Sequence, residues 1–200
     1  MFLELSGIDS TGPRIFVSGN LHTATTTLYG ILLASEDGGK TWTEPFARMR
    51  AATIEQIQFR DIETGWISGH HIEPLPKDPF FLLTTDGGKS WTMRPVFEET
   101  RFGTIAQFWF ESRTTGEMVF DRSQRGSVRQ ELYESQTGGA SWNVKQVSSS
   151  QIHLAKTRPT EEIQWRVNTD AASHAYRLEQ RGPDRWESVA SFLVHAGDCK

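Results

Sequence analysis

The side chains of this sequence that could do chemistry gather in two short stretches. One is His70-His71-Ile72-Glu73, which continues to Lys77 and Asp78 and is interrupted by Pro74, Pro76 and Pro79; the other is Asp121-Arg122-Ser123-Gln124-Arg125. Two carboxylates a few ångströms apart can cleave a glycosidic bond with inversion or retention, and Glu73 with Asp121 is the pair to consider. His70, His71, Glu73 and His22 are metal-ligating types, but neighbouring residues in a strand point to opposite faces, so no metal site is expected. No other cofactor is expected either. Arg48, Arg50, Arg101, Arg122 and Arg125 could clamp a carboxylate through two-point guanidinium forks, although a solvated surface accounts for them as well. No nucleophile and base stand in a recognisable arrangement, so no catalytic residue is assigned. His70, His71, Glu73, Asp121, Arg122 and Arg125 are the candidates for binding a ligand or partner.

Composition narrows the field. The formal net charge is -4 and no run of Lys or Arg is long enough to neutralise a phosphate backbone, which argues against nucleic acid. The longest apolar stretches, such as Phe80-Phe81-Leu82-Leu83, fall far short of the ~20 residues that span a bilayer. Cys199 is the only cysteine, so no disulfide forms within the chain and the redox compartment is left open. Met1 to Leu5 lacks the features of a secretory leader and starts directly in strand-like sequence, which fits a mature segment as well as an unexported chain.

The elements that must position these residues follow from an internal repeat. Trp42, Trp91, Trp142 and Trp186 recur at intervals of 49, 51 and 44 residues, each closing a glycine-rich turn. The first turn carries Ser35, Asp37, Gly39, Thr41 and Trp42; the second carries Thr84, Asp86, Gly88, Ser90 and Trp91. The third keeps Ser135, Gly139, Ser141 and Trp142 but has Thr137 in place of Asp, and the fourth has Arg181, Pro183 and Arg185 where Asp, Gly and Thr or Ser are expected. Gly accepts positive φ and the Asp carboxylate accepts nearby backbone N–H groups, so the turn satisfies itself; the last two turns should keep the shape without the cap. Upstream of each Trp, three strand-like runs recur. The first strands are 3–8, 54–59, 105–110 and 152–155, the second 15–17, 66–67, 118–120 and 163–167, and the third 28–35, 80–85, 131–135 and 175–179. The fourth strand of each unit begins at the repeat Trp.

The pattern Ser/Thr-x-Asp-x-Gly-x-Thr/Ser-Trp resembles the Asp-box, or bacterial neuraminidase, repeat of sialidases and sortilin-type receptors. The second unit, from Phe59-Arg60-Asp61-Ile62-Glu63-Thr64-Gly65-Trp66 to Thr84-Thr85-Asp86-Gly87-Gly88-Lys89-Ser90-Trp91, is most similar to the photosystem II stability/assembly factor family. The resemblance implies an all-β propeller of four four-stranded antiparallel blades, approximately 1–50, 51–101, 102–149 and 150–200, in one domain. It also implies a bacterial protein, exported to the periplasm or secreted, with any leader absent from this chain. Isolated blades leave aromatic faces in water, so stacking and closure are required. A four-bladed ring, an arc completed by a second copy, and a piece of a larger ring all meet that need; the ring is preferred because the chain starts at a first strand and ends soon after a fourth.

In propellers of this kind the box turns lie on one face and the loops between second and third strands on the other. Those loops, 20–27, 70–79, 121–128 and 168–174, differ from one another while the strands repeat, which is where function is usually placed. Two functions compete. A non-catalytic binding or assembly scaffold would present these loops to a protein partner; the alternative is a glycan-binding or glycoside-hydrolase-like propeller. Sialidase chemistry would need a tyrosine nucleophile, and Tyr29, Tyr133 and Tyr176 all fall on third strands, near the outside of a blade. Trp66, Trp109 and Trp165 could stack on a sugar, but their strand positions favour core packing.

Overall fold

The computed structural model describes residues 2–73, 78–124, 126–158, 163–170 and 175–193. These contain four antiparallel sheets and no helix. Blade 1 comprises β1 (Phe2–Thr11), β2 (Arg14–His22), β3 (Thr27–Ser35) and β4 (Met49–Arg50). Blade 2 comprises β5 (Ala52–Phe59), β6 (Gly65–His71), β7 (Asp78–Thr84) and β8 (Thr92–Pro95). Blade 3 comprises β9 (Thr104–Phe110), β10 (Gly116–Asp121), β11 (Gln130–Ser135) and β12 (Asn143–Ser148). The fourth sheet holds β13 (Trp165–Asp170), β14 (Ala175–Arg181) and β15 (Trp186–Leu193).

The second and third strands are apolar on consecutive residues, as in Ile15-Phe16-Val17 and Phe80-Phe81-Leu82, because a neighbouring sheet covers each face. One core joins Phe16, Leu32 and Ala34 of blade 1 to Ile54, Phe59, Ile67 and Phe80 of blade 2. A second joins Trp66 and Phe81 of blade 2 to Phe108, Phe110, Met118 and Phe120 of blade 3. A third joins Leu5 and Val17 of blade 1 to Leu178 of blade 4, flanked by Tyr176 and Phe192. The sheets therefore pack in the order 4-1-2-3.

The box Trp residues mark this order. Trp91 meets Phe16 edge-on at 6.1 Å, Trp142 stacks on Phe81 at 5.5 Å, and Trp42 meets Phe192 at 5.6 Å, each reaching the preceding blade. Gly88, at φ +80°, lies so close over the Phe16 ring that a Cβ could not be fitted, so this glycine is required by packing as well as by its backbone angle. In the second turn, Asp86 accepts hydrogen bonds from the N–H groups of Lys89 and Ser90 (both 3.0 Å) and from Ser90 Oγ (2.6 Å), while Thr84 Oγ1 accepts Gly88 N–H (2.8 Å). Asp37 does the same with Lys40 and Thr41. The third turn is not uncapped as expected. Thr137 Oγ1 accepts Ser141 N–H (2.9 Å) and pairs with Ser141 Oγ (2.9 Å), so a hydroxyl does part of the carboxylate's work.

The fourth unit departs from expectation. Residues 152–155 form no strand, and among the described residues the sheet there begins with β13. Segment 151–158 instead runs alongside blade 3: Ile152 N–H donates to Gln130 Oε1, Leu154 N–H to Gln107 Oε1, and Lys156 pairs with Glu111 at the far end of β9. Arg158 then closes on Asp9 of β1, 149 residues away in sequence. The sheets thus do not close on one another between blades 3 and 4, and the arrangement is an incomplete ring rather than the preferred closed one.

Pairing register explains the seam. Asp9, Gln58 and Trp109 stand at equivalent positions, opposite Phe16, Trp66 and Glu117. Asp9 Oδ2 accepts the N–H of Phe59 in blade 2 (2.6 Å), and the Gln58 amide accepts from Phe110 N–H (2.8 Å) and donates to Phe110 O (2.7 Å) in blade 3. An indole cannot make this two-way backbone bond, and the hand-over from blade to blade stops at Trp109.

Candidate functional site

The loop end carries the residues singled out by chemistry, but the strands reach further than expected. β2 runs to His22 and β6 to His71, so the connecting loops are shorter than 20–27 and 70–79. His70 lies on β6 beside Thr53 Oγ1 (2.9 Å from Nδ1) and Glu55 (3.5 Å), whereas His71 packs its ring on Phe80 at 4.9 Å. The two imidazoles have different surroundings. Glu73 is exposed just beyond β6. Asp121, at the end of β10, accepts Ser123 N–H (2.8 Å) and Gln130 Nε2 (3.2 Å), and so organises its own loop. Arg125 lies outside the described residues. No group of three or more His, Cys, Asp or Glu gathers to hold a metal among the described residues.

Arg122 belongs to a cluster whose centre the sequence did not point out. Glu131, on β11, is 4% exposed and receives Arg122 (3.2 Å), Arg129 (3.1 Å) and the Tyr133 hydroxyl (2.8 Å). Arg101 donates to the Tyr133 oxygen (2.9 Å) and lies over the Phe97 ring at 4.6 Å. Burial opposes the charge on Glu131, but the bonds from Tyr133, Arg122 and Arg129 outweigh it and hold its carboxyl below the usual range. Burial, then the Glu131 carboxylate, pushes the Tyr133 phenol up. Two guanidinium groups, those of Arg122 and Arg129, thus share one buried carboxylate, and Arg101 joins the cluster through the Tyr133 hydroxyl. Tyr133 is 3% exposed, well inside the blade and not near its outside as its strand position suggested. Of the other arginines, Arg48 is held by Glu44 in blade 1 (2.7 Å), and Arg50 is an exposed residue of β4, so the five do not form one clamp. Glu131 and Arg129 were missed because they sit at a strand start, where alternation marks them only as polar positions.

At the opposite end of the axis, where β1 and β5 finish, a cavity of about 210 Å³ opens between the inner strands. Trp109 and Trp165 line it from blades 3 and 4, together with Asp9, Arg60, Arg158 and Gln164. Both indoles are half-buried, in contrast to Trp66, which is 1% exposed and stacked on Phe110 at 3.9 Å. Core packing holds for Trp66 alone of these three.

With this geometry in view, comparison with solved structures is decisive for the architecture. YCF48 bound to D1 peptide superposes with a TM-score of 0.50 and 21% identity, over 94% of this chain and 52% of that one. A polysaccharide lyase, ulvan lyase bound to a GlcA-Rha3S oligosaccharide, gives a TM-score of 0.50 and 11% identity, over 70% of this chain and 41% of that one. The fold is that of a β-propeller. The chain spans about half the length, or less, of these structures. No protein-family model and no curated protein matches the sequence.

Proposed function

We propose that this propeller is a non-catalytic binding scaffold that presents the loop end of blades 2 and 3 to a segment of another protein, one rich in carboxylates. The observation that carries this reading is the Glu131 cluster. A single buried carboxylate pre-orders Arg122 and Arg129, and through Tyr133 also Arg101, so forked donors are fixed before a partner arrives and less side-chain entropy is lost on binding. His70, His71 and Glu73 on the neighbouring blade 2 are the remaining contacts of that surface. The peptide bound by YCF48 supports the reading by analogy of fold only. A hydrolase reading gains less support, since Asp121 is committed to its own loop.

The test is binding of immobilised peptides graded in Asp and Glu content to the full chain. Acidic peptides should bind, weaken as salt rises, and lose affinity in single Arg122→Gln and Arg129→Gln variants, each of which leaves Glu131 one guanidinium and the Tyr133 hydroxyl. Retention independent of peptide charge, or unchanged in the variants, would remove the basis of the proposal.

A further inference from the structure

The cavity at the other end of the axis is a consequence of position 109. In blades 1 and 2 the equivalent residues, Asp9 and Gln58, bond to the next blade's backbone; in blade 3 the residue is Trp109 and a space is left beside it. At roughly 30 Å³ per liquid water, 210 Å³ holds about seven waters, room for one pyranose ring. Its walls divide into apolar and polar parts, as a built ligand site does. Trp109 and Trp165 offer half-buried indole faces, against which the C–H face of a sugar ring can lie, and their N–H groups can donate to hydroxyls. The floor is already satisfied: Asp9, 4% exposed, accepts Ser10 N–H (2.8 Å), Phe59 N–H (2.6 Å) and the Arg158 guanidinium. Arg60 is anchored through Nε to the Glu111 carbonyl (2.8 Å), which leaves its terminal amino groups to form a fork with a carboxylate. Gln164, exposed, completes the lining.

We infer that this seam cavity binds a single sugar unit bearing a carboxylate, a uronate, with its ring against Trp109 and Trp165 and its acid on Arg60. Among the described residues of its lining Asp9 is the one carboxylate, and it is held in an ion pair; glycoside hydrolysis needs two, so the site is assigned binding alone. It lies at the end of the axis away from the Glu131 cluster, so the two proposals stand or fall separately.

Saturation-transfer NMR on the full chain, with methyl β-glucuronide and methyl β-glucoside as probes, tests the inference. The glucuronide should bind with a Kd on the order of 1 mM, the range set by the binding energy available to so small a ligand, and about tenfold more tightly than the glucoside. Arg60→Gln, at an exposed side chain, should abolish that preference, and Trp109→Phe should weaken both sugars together. Arg122→Gln and Arg129→Gln should each leave both affinities unchanged. Absence of transfer to the wild-type chain, or a glucuronide affinity that survives Arg60→Gln, overturns the assignment.

Discussion

Restoring an acid at position 137 measures what the box carboxylate contributes to a blade. In the second turn Asp86 collects two backbone N–H groups and two hydroxyls, those of Ser90 and Thr84; in the third Thr137 Oγ1 collects one N–H and meets the hydroxyls of Ser141 (2.9 Å) and Ser135 (3.3 Å), and Ala140 N–H is left with a long bond to Thr137 O at 3.4 Å. Thr137→Asp should therefore add one N–H bond and place a charged acceptor on those already made. A net hydrogen bond contributes roughly 0.5–1.5 kcal/mol and this turn is exposed, so the expected gain is about 1 kcal/mol at neutral pH. For a chain of this size that is a rise of about 2–4 °C in Tm. The pH dependence provides the stringent check. Bonds from Ser90 lower the Asp86 pKa from 3.8 to about 2, so such a carboxyl is more acidic folded than unfolded. Its contribution is complete above about pH 4 and fades as pH falls through about 2. Thermal and urea unfolding of parent and variant across that window should show the gain shrinking with acid, while Asp86→Thr shows the mirror-image loss. A gain that persists unchanged to the acid end of the window, or none at neutral pH, would refute the assignment of the cap to charge-assisted hydrogen bonds.

Three further outcomes follow from the packing. Gly88→Ala combines a φ of +80° with a Cβ driven into the Phe16 ring and should cost about 2–4 kcal/mol in urea unfolding; a loss under about 0.5 kcal/mol would mean the blade 1–blade 2 contact is loose. Gln58→Leu strips both partners from the buried Phe110 N–H and C=O and should destabilise by about 2–4 kcal/mol, with faster amide exchange at Phe110; unchanged exchange there would show that water substitutes. Glu131→Gln removes the carboxylate beside Tyr133 and should lower the phenol pKa towards its ordinary value, read as phenolate absorbance against a Tyr133→Phe control; an unmoved titration would break the cluster's logic.

The repeat was legible because the turn chemistry is local. Asp-Gly-Gly followed by a hydroxyl residue and Trp fixes a hairpin through bonds within a few residues, and period-two and apolar runs place the strands between such hairpins. The first three sheets follow from this. The fourth does not, because Ile152-His153-Leu154 has the composition of a strand but its hydrogen bonds go to Gln130 and Gln107 side chains. Strand propensity in a short segment depends on the neighbour it meets, and here that neighbour is a pair of blade 3 side-chain amides and not the edge of a sheet. Side-chain chemistry was legible only as residue type. His70 and His71 are adjacent in sequence yet sit against Thr53 and Phe80, respectively, and Glu131 became central only once Arg122, Arg129 and Tyr133 were brought around it. A buried acid at a strand start has no local signature, since alternation marks it polar and says nothing of its partners.

The two ends of this propeller are held differently, and that difference bears on what each can bind. At the turn end, bonds cross from blade to blade: Thr11 Oγ1 donates to Asp61 O (3.0 Å), Trp66 Nε1 to Gly138 O (3.0 Å), and Arg113 of blade 3 reaches both Asp61 and Glu63 of blade 2 (2.7 Å each). Such ties fix side chains relative to one another before a ligand arrives, which is the condition for useful affinity from a cavity the size of one sugar ring. Towards the loop end Asn20 of β2 likewise exchanges two bonds with the Ile54 backbone of β5 (3.0 and 3.1 Å), but the loops beyond differ from blade to blade, and the Glu131 cluster is tied within blade 3 apart from Arg101. Loops of this kind can adjust to a peptide while a pre-ordered arginine group anchors it. If both proposals hold, the scaffold presents a small-ligand pocket at the end tied by the box turns and a protein-binding surface at the end where the loops vary.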